Sequence, residues 1–475
     1  MKITFIYPPF KHKRFNENVA VVDEEFGLYQ PIGLAYAAAI YRNLGAQVDL
    51  IDANALKLTK EIVLEKLKTQ KPDILSFDLH SAYTFFDNLE WIKYFKDNLG
   101  YKVIILVGGF NFNLYPSEVM YHKEIDFGLL GQANTTAKQF MQFFEKKTSP
   151  RKIQGLVYRK NGKVIINKQP EMFCNLEELP FPARDLIPMD KYYSFISGRK
   201  NFTVMLSQIG CPFRCNFCAI AKVPFKQRSA KSVFEEILEC YNKYKVREID
   251  FFDGTFTANK KVVMELCQLI IDSKIDIAWS CRTRIDRVDD ELLSIMAKSG
   301  CKRIYYGIES SDDKVIINIC KDITISGVKV AIDKTRKYKI APLGFFMIGN
   351  PGDTKEGFMK TVELAKSLNL EYAQFSRTIA KPKTEIDTKL QGITKKDYWS
   401  DYLLGKVGEE RLPNPWCNIP ESEVEQLTKK AYLSFYLRPT YVFKRIIGIR
   451  SVHELLRYIK AGFKMIFSMF KQEDL

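Results

Sequence analysis

The chain has 475 residues, 46% of them hydrophobic, and carries a formal charge of +16. That length allows two or three domains and a sizeable core. No run approaches the roughly 20 apolar residues of a membrane-spanning helix, and tandem repeats and low-complexity tracts are not evident.

The chain starts Met1-Lys2-Ile3-Thr4-Phe5-Ile6-Tyr7-Pro8-Pro9. This short apolar run stopped by prolines reads as a first strand, not as a signal peptide, so a cytoplasmic protein is expected. The Ala-rich stretch Gly33–Tyr41 has helical apolar spacing and is closed by Gly45. Further strands are expected at 47–52, 73–77, 103–107 and 127–131, with helices between them and a last one over 135–146. Val103–Val107 is wholly apolar, as a strand covered on both faces should be. Repeated strand–helix units predict a doubly wound parallel sheet of Rossmann type over 1–147, with ligands at the strand carboxyl ends.

Residues 148–195 break this rhythm. A hairpin around Asn161-Gly162 is followed by Pro170, Pro180, Pro182 and Pro188, which reads as a linker. Over 196–385 the rhythm returns. Six strands are expected, at 203–209, 248–252, 277–280, 303–308, 343–348 and 372–375. These are too few for a closed eight-stranded barrel, so a partial (β/α)6 barrel is predicted. The remainder, 386–475, is mostly helical. Between Lys429 and Lys471 stand ten Lys or Arg and one acid, Glu454, interleaved with aromatic and aliphatic residues. Such helices suit peripheral contact with an anionic inner membrane face, a solvated face packed on the barrel, or a nucleic-acid patch, the last being least favoured.

The chemical signal is Gly210-Cys211-Pro212-Phe213-Arg214-Cys215-Asn216-Phe217-Cys218. With ten cysteines in the chain, chance would produce this spacing roughly 0.004 times. Thiolates suit iron–sulfur or zinc. A structural zinc site wants a fourth nearby Cys or His. The next cysteine is Cys240, inside a helical pattern, and no His lies between 123 and 452. Three thiolates on a cubane leave one iron open, which S-adenosylmethionine (SAM) can chelate through its amino and carboxylate groups. The other seven cysteines read as small buried apolar residues.

The C-x3-C-x2-C loop resembles that of the radical SAM superfamily. So do the segments that follow it: 248–257, Trp279–Arg284, Gly307-Ile308-Glu309-Ser310 and Gly344–Thr354. The resemblance implies a [4Fe–4S] cluster on Cys211, Cys215 and Cys218. It places Phe217 by adenine and Asp253, Gly254 and Thr255 at the SAM amino group, although Asp-Gly-Thr departs from the usual Gly-Gly-Glu. Glu309 and Ser310 would face ribose or methionine, Ile348 would meet adenine through its backbone, and Arg282 or Arg284 would pair the carboxylate. Bland alternatives stand beside these: a barrel-end salt bridge for Glu309, core for Ile348, surface for the arginines.

The N-terminal segment and linker resemble the cobalamin-binding subgroup related to anaerobic Mg-protoporphyrin monomethyl ester cyclase and to lipid and carbon methylases. The segments concerned are Tyr7-Pro8-Pro9, Gln30–Tyr36, Val107-Gly108-Gly109 and Leu179–Leu186. That implies cobalamin near Pro9, Gln30, Pro31, Gly33, Ser76, Gly108, Gly109, Gly131 and Gln132. The subgroup's V-G-G-P-H becomes Val107-Gly108-Gly109-Phe110-Asn111, and its G-E-G-E becomes Gly131-Gln132-Ala133-Asn134. The cobalt-ligating D-x-H-x-x-G is absent. Asp78-Leu79-His80 mimics its start after the third strand, where His80 reads more readily as a loop or interface residue.

The implied function is radical-based, cobalamin-dependent methylation of an unactivated carbon. The alternative is radical oxidative cyclisation or rearrangement without methyl transfer. A methylthiotransferase would need a second cysteine trio in the N-terminal domain, which the chain lacks. Implied partners are a small-molecule or lipid-like substrate and an electron donor of flavodoxin or ferredoxin type. Nucleic acid is disfavoured.

Overall fold

In a computed structural model of the chain, the structure describes residues 1–11, 13, 27–145, 148–170 and 175–448. Two sheets organise it. The first has seven strands, five of them parallel, in the spatial order Gln47–Asp52, Lys2–Tyr7, Ile74–Asp78, Ile104–Gly108, Phe127–Leu129. Ile3 pairs with Val48 on one side and Ile74 on the other. Successive residues therefore serve opposite cores. Ile6, Ile51, Phe77 and Val107 enter one, and Phe5, Leu50, Ile74 and Leu106 enter the other. The Asn161-Gly162 hairpin, expected in the linker, extends this sheet instead. Its strand Leu156–Lys160 pairs antiparallel with Phe127–Leu129 and then with Lys163–Ile166. The edge left open by the short 127–129 strand is what receives it.

The second sheet has six parallel strands in chain order: Phe202–Met205, Glu248–Phe251, Ala278–Thr283, Cys301–Glu309, Ala341–Ile348 and Tyr372–Arg377. Its first and last strands do not pair, so it is the open half-barrel expected. Five of the helices on its outer face start with a side-chain cap. Ser229 accepts from Ser232 N, Asn259 from Val262 N, Asp289 from Leu292 N, Thr324 from Gly327 N and Thr354 from Gly357 N. One core lies between helices and strands. It takes Ile249, Phe251, Trp279, Cys281, Ile304, Tyr306, Phe346 and Ile348. The alternate positions Asp250, Ser280, Arg282, Tyr305, Gly307 and Phe345 consequently face the concave side.

Phe202 and Val204, on the half-barrel's first strand, belong to a core of the N-terminal sheet, so the two sheets share apolar burial. The Gln30 amide reinforces that join, donating to Phe202 O at 3.1 Å and accepting from Val204 N at 3.0 Å. The C-terminal helices divide between the two sheets. Around Asp397–Leu403 they meet the N-terminal sheet through Tyr115 and His122. Helix Glu421–Tyr436 seals the half-barrel's last strand, Tyr432 Oη accepting from Phe375 N and Tyr436 Oη from Ala373 N. Most of the basic C-terminal stretch, 449–475, falls outside the described residues. Among the described residues no helix is long and apolar enough to cross a membrane.

Candidate functional site

The cysteine loop leaves the half-barrel's first strand and stands at the carboxyl ends of its neighbours. Gly210 makes the turn with φ +72°, and a Cβ there would strike the carbonyl oxygens of Val223 and Pro224. Two latches hold the entry. Asp253 Oδ1 accepts from Ser207 N (2.9 Å) and Gln208 N (3.1 Å), while its Oδ2 pairs with Ser207 Oγ at 2.5 Å. Further on, Asn216 N donates to Ile319 O, its Nδ2 donates to Asn318 O, and its carbonyl accepts from Ile386 N. The loop is thus tied to the second strand, to the turn after the fourth, and to helix Glu385–Thr394.

The three cysteines are half-buried. Cys211 Sγ lies 3.5 Å from Thr255 Oγ1, and Cys215 Sγ lies 3.9 Å from Arg284 Nη1. Burial pushes the Cys215 thiol up to about 11, with Lys321 and Arg284 pulling it back. Burial likewise raises Cys218, opposed by the Ile220 amide. A bound metal centre reverses this balance, because a coordinating thiol is deprotonated outright. Among the described residues no three His, Cys, Asp or Glu side chains stand close enough to share one ion; a cubane asks instead for one thiolate on each of three irons.

The other expected SAM positions gather at the same mouth, and most are already engaged. Asp253 is buried and serves as the latch. Gly254 fits because a Cβ would overlap Ile220 Cδ1 and lie 3.6 Å from Cys211 Cβ. Arg282 grips Asp250 with both terminal nitrogens (3.0 and 3.2 Å) and lies between the rings of Phe252 (4.0 Å) and Tyr305 (4.7 Å). That leaves it as a concave-face ion pair and aromatic sandwich. Arg284 pairs Asp286 and covers Phe213. Phe217 packs toward Ala380, Ile386 and Leu390. Ile348 points its side chain into the core, and its carbonyl accepts from Thr378 N. Ser310 Oγ accepts from Asp312 N. Glu309, at φ +68°, receives Lys321 Nζ at 2.6 Å.

Sequence reasoning missed Lys321 and Gln208. Lys321 sits between two left-handed residues, Cys320 and Asp322, and only that double turn returns it to the mouth. Gln208 is 3% exposed and neither end of its amide has a partner. Asn216 Oδ1 is also buried without a partner. Buried polar atoms without partners cost about 1–3 kcal/mol each unless water or a ligand satisfies them, so these two side chains are open to a polar partner.

In the N-terminal sheet Pro9, Gly33, Gly108, Gly109, Gly131 and Gln132 lie at the carboxyl edge, exposed or half-buried. Gln30 and Pro31 are buried, and Gln30 is committed to the inter-sheet join. Ser76 is buried within its strand, paired with Phe5. Gly131 N donates to Asn113 Oδ1. Asn111, 1% exposed, has both amide atoms without a partner, which fits a ligand rimmed with amides, as a corrin is.

Residues 205–365 match the Radical SAM superfamily, and residues 19–141 match the B12 binding domain. The chain is 30% identical over 446 residues to an uncharacterised methyltransferase of Pyrococcus horikoshii, covering 90% of this chain and 93% of that one. It is 23% identical to the cytidylyl-2-hydroxyethylphosphonate methyltransferase of Streptomyces wedmorensis, over 73% and 74% of the two chains. The fold matches that of the radical SAM methyltransferase TsrM from Kitasatospora setae, solved with cobalamin and a [4Fe–4S] cluster. That match has a TM-score of 0.66 at 14% identity and covers 82% of this chain and 75% of that one. The chain belongs to the cobalamin-dependent radical SAM enzymes, in the family of methyltransferases.

Proposed function

We propose that Cys211, Cys215 and Cys218 hold the cluster at the half-barrel mouth and that the enzyme methylates an unactivated carbon of a small molecule. When bound, the cluster and SAM supply a 5′-deoxyadenosyl radical and cobalamin supplies the methyl group. The carrying observation is the latch: Asp253, two residues past the second strand, holds Ser207 and Gln208, and so fixes where the cysteine loop begins. Thr255, beside Cys211, and Arg284, beside Cys215, border the sulfurs. Lys321 and Glu309 offer both signs of charge to the zwitterionic end of methionine. Arg282, Tyr305 and Phe345 form the concave wall, and the rings of Tyr305 and Phe345, stacked at 5.6 Å, would give substrate an aromatic seat that keeps water from a radical. Each turnover would consume two electrons, one to cleave SAM and one to reduce the corrinoid for remethylation by a second SAM, and a reduced donor of flavodoxin or ferredoxin type would deliver them.

In anaerobically reconstituted protein, Cys215→Ala should abolish 5′-deoxyadenosine formation, and unchanged formation would remove the cluster assignment. Co-elution of a corrinoid absorption band tests the methyl-transfer half separately, because a stoichiometry near zero leaves only cyclisation or rearrangement.

As a second reading we propose peripheral contact with an anionic membrane for helix Pro439–Gly448, which packs on the half-barrel through Tyr441 and Arg445 at Glu371 and leaves its opposite face open. On helix Pro439–Gly448, Phe443 is 65% and Ile447 69% exposed, an apolar face beside Lys444. Co-sedimentation with phosphatidylglycerol vesicles, lost at high salt, is the expected result. Equal recovery with neutral vesicles contradicts it.

A further inference from the structure

We propose that His80 donates an axial nitrogen to the cobalt of the bound corrinoid, and that Asp78 positions its ring. This rests on cobalamin being bound; it adds which atom of this chain meets the metal.

The topology selects the place. The first strand, Lys2–Tyr7, has Gln47–Asp52 on one side and Ile74–Asp78 on the other. The connections leaving these strands run in opposite directions, so a crevice opens beyond Tyr7 and Asp78, where ligands of doubly wound sheets bind. His80 stands there, two residues past the strand. Its side chain is 43% exposed and its Nδ1 lies 3.8 Å from Asp78 Oδ2. The Tyr7 ring flanks it at 6.3 Å. Among the described residues nothing is recorded on its Nε2.

Asp78 occupies a prepared niche. A Cβ on Gly109 would overlap its Oδ1, and one on Gly33 would sit 3.4 Å from its Oδ2. Two of the glycines expected to make room for a cofactor make room for this carboxylate instead. Leu79 N donates to Gly108 O at 2.8 Å, and Asn111 N donates to Leu79 O at 2.9 Å, so the turn carrying His80 is pinned on both sides. Asn111 supplies an independent pointer to a ligand here, because its buried amide has no partner.

At 3.8 Å the Asp78 carboxylate stands just beyond hydrogen-bond distance of Nδ1; closing on it as the ring turns toward a metal would set the tautomer that leaves Nε2 free. Cobalt accepts such a nitrogen. Coordination displaces water or the corrinoid's own benzimidazole; one dative bond replaces another and no electron changes hands. His80 thus takes the part of an absent D-x-H-x-x-G histidine from a different strand.

The test is electron paramagnetic resonance of the full-length protein loaded with unlabelled cob(II)alamin and expressed with nitrogen-15 histidine. A protein imidazole splits each cobalt line into a doublet, whereas the cofactor's own nitrogen-14 base gives a triplet. Doublets in the wild type support the proposal. So does their loss in His80→Ala that still retains corrinoid. Triplets, or no nitrogen splitting, with corrinoid bound overturn the ligand and leave the cobalamin reading standing. Absence of any bound corrinoid overturns both. The wild-type spectrum decides without reliance on a variant, and Asp78→Asn should broaden or weaken the doublet without abolishing corrinoid binding.

Discussion

The join between the two sheets contains a buried charge cluster whose removal has a calculable cost. Glu236, wholly buried, lies between Arg184 and Arg228, which are 1% and 5% exposed. Its Oε1 meets Arg184 Nη2 at 2.7 Å and its Oε2 meets Arg228 Nη1. The same two nitrogens also reach the chain leading to the cysteine loop. Arg184 donates to Val204 O and Arg228 to Leu206 O, both at 3.1 Å. Glu236→Leu strands two guanidinium ions in an apolar interior. Breaking a buried pair by removing one partner costs about 3–5 kcal/mol, and for a domain of this size each kcal/mol is worth roughly 2–4 °C. A fall of about 10 °C in the anaerobic thermal midpoint, followed by circular dichroism, is expected. Arg184→Met should cost less, because Glu236 keeps Arg228 and no charge is left unpaired. If Glu236→Leu melts within about 2 °C of wild type, or if Arg184→Met is the worse of the two, the cluster is not what holds the strand.

Two further expectations concern the loop entry. Burial pushes the Asp253 carboxyl up to about 7, against the Ser207 and Gln208 donors that pull it down. Its folded-state value exceeds the unfolded one, so its contribution is whole below about pH 4 and is lost as pH rises through about 7. Asp253→Asn, which can keep both backbone hydrogen bonds on Oδ1, should therefore gain in urea midpoint over wild type on moving from about pH 5 to pH 8. A constant difference across that window would contradict the assignment. Gly210→Ala should lower iron content several-fold after reconstitution, because its Cβ meets fixed carbonyls. Gly254→Ala should stay near wild type, because its Cβ would overlap only the movable end of Ile220, with Gly210 O and Cys211 Cβ at ordinary contact distances of 3.4 and 3.6 Å. Equal iron in the two variants would refute that contrast.

Much of this molecule was legible in one dimension. Strand–helix alternation announced both sheets, since a strand covered on two faces must be apolar throughout, as 103–107 is. Three cysteines within eight residues announced metal chemistry, because such a spacing needs only a local turn. What the sequence could not reveal were the partners chosen across long separations. Arg282 reads as a free cation until Asp250, 32 residues away, closes on it. Gln30 reads as a cofactor contact until the half-barrel's edge strand, more than 170 residues on, takes both ends of its amide. Lys321 reaches the mouth only through two left-handed residues that no periodicity marks. The hairpin at 161–162 was evident as a hairpin, but whether it stood alone or joined a sheet depended on an open edge elsewhere. Local propensity and burial pattern are written residue by residue. Which charge meets which, and which strand end meets His80, is settled only when the chain closes on itself, because those energies belong to pairs brought together by the fold.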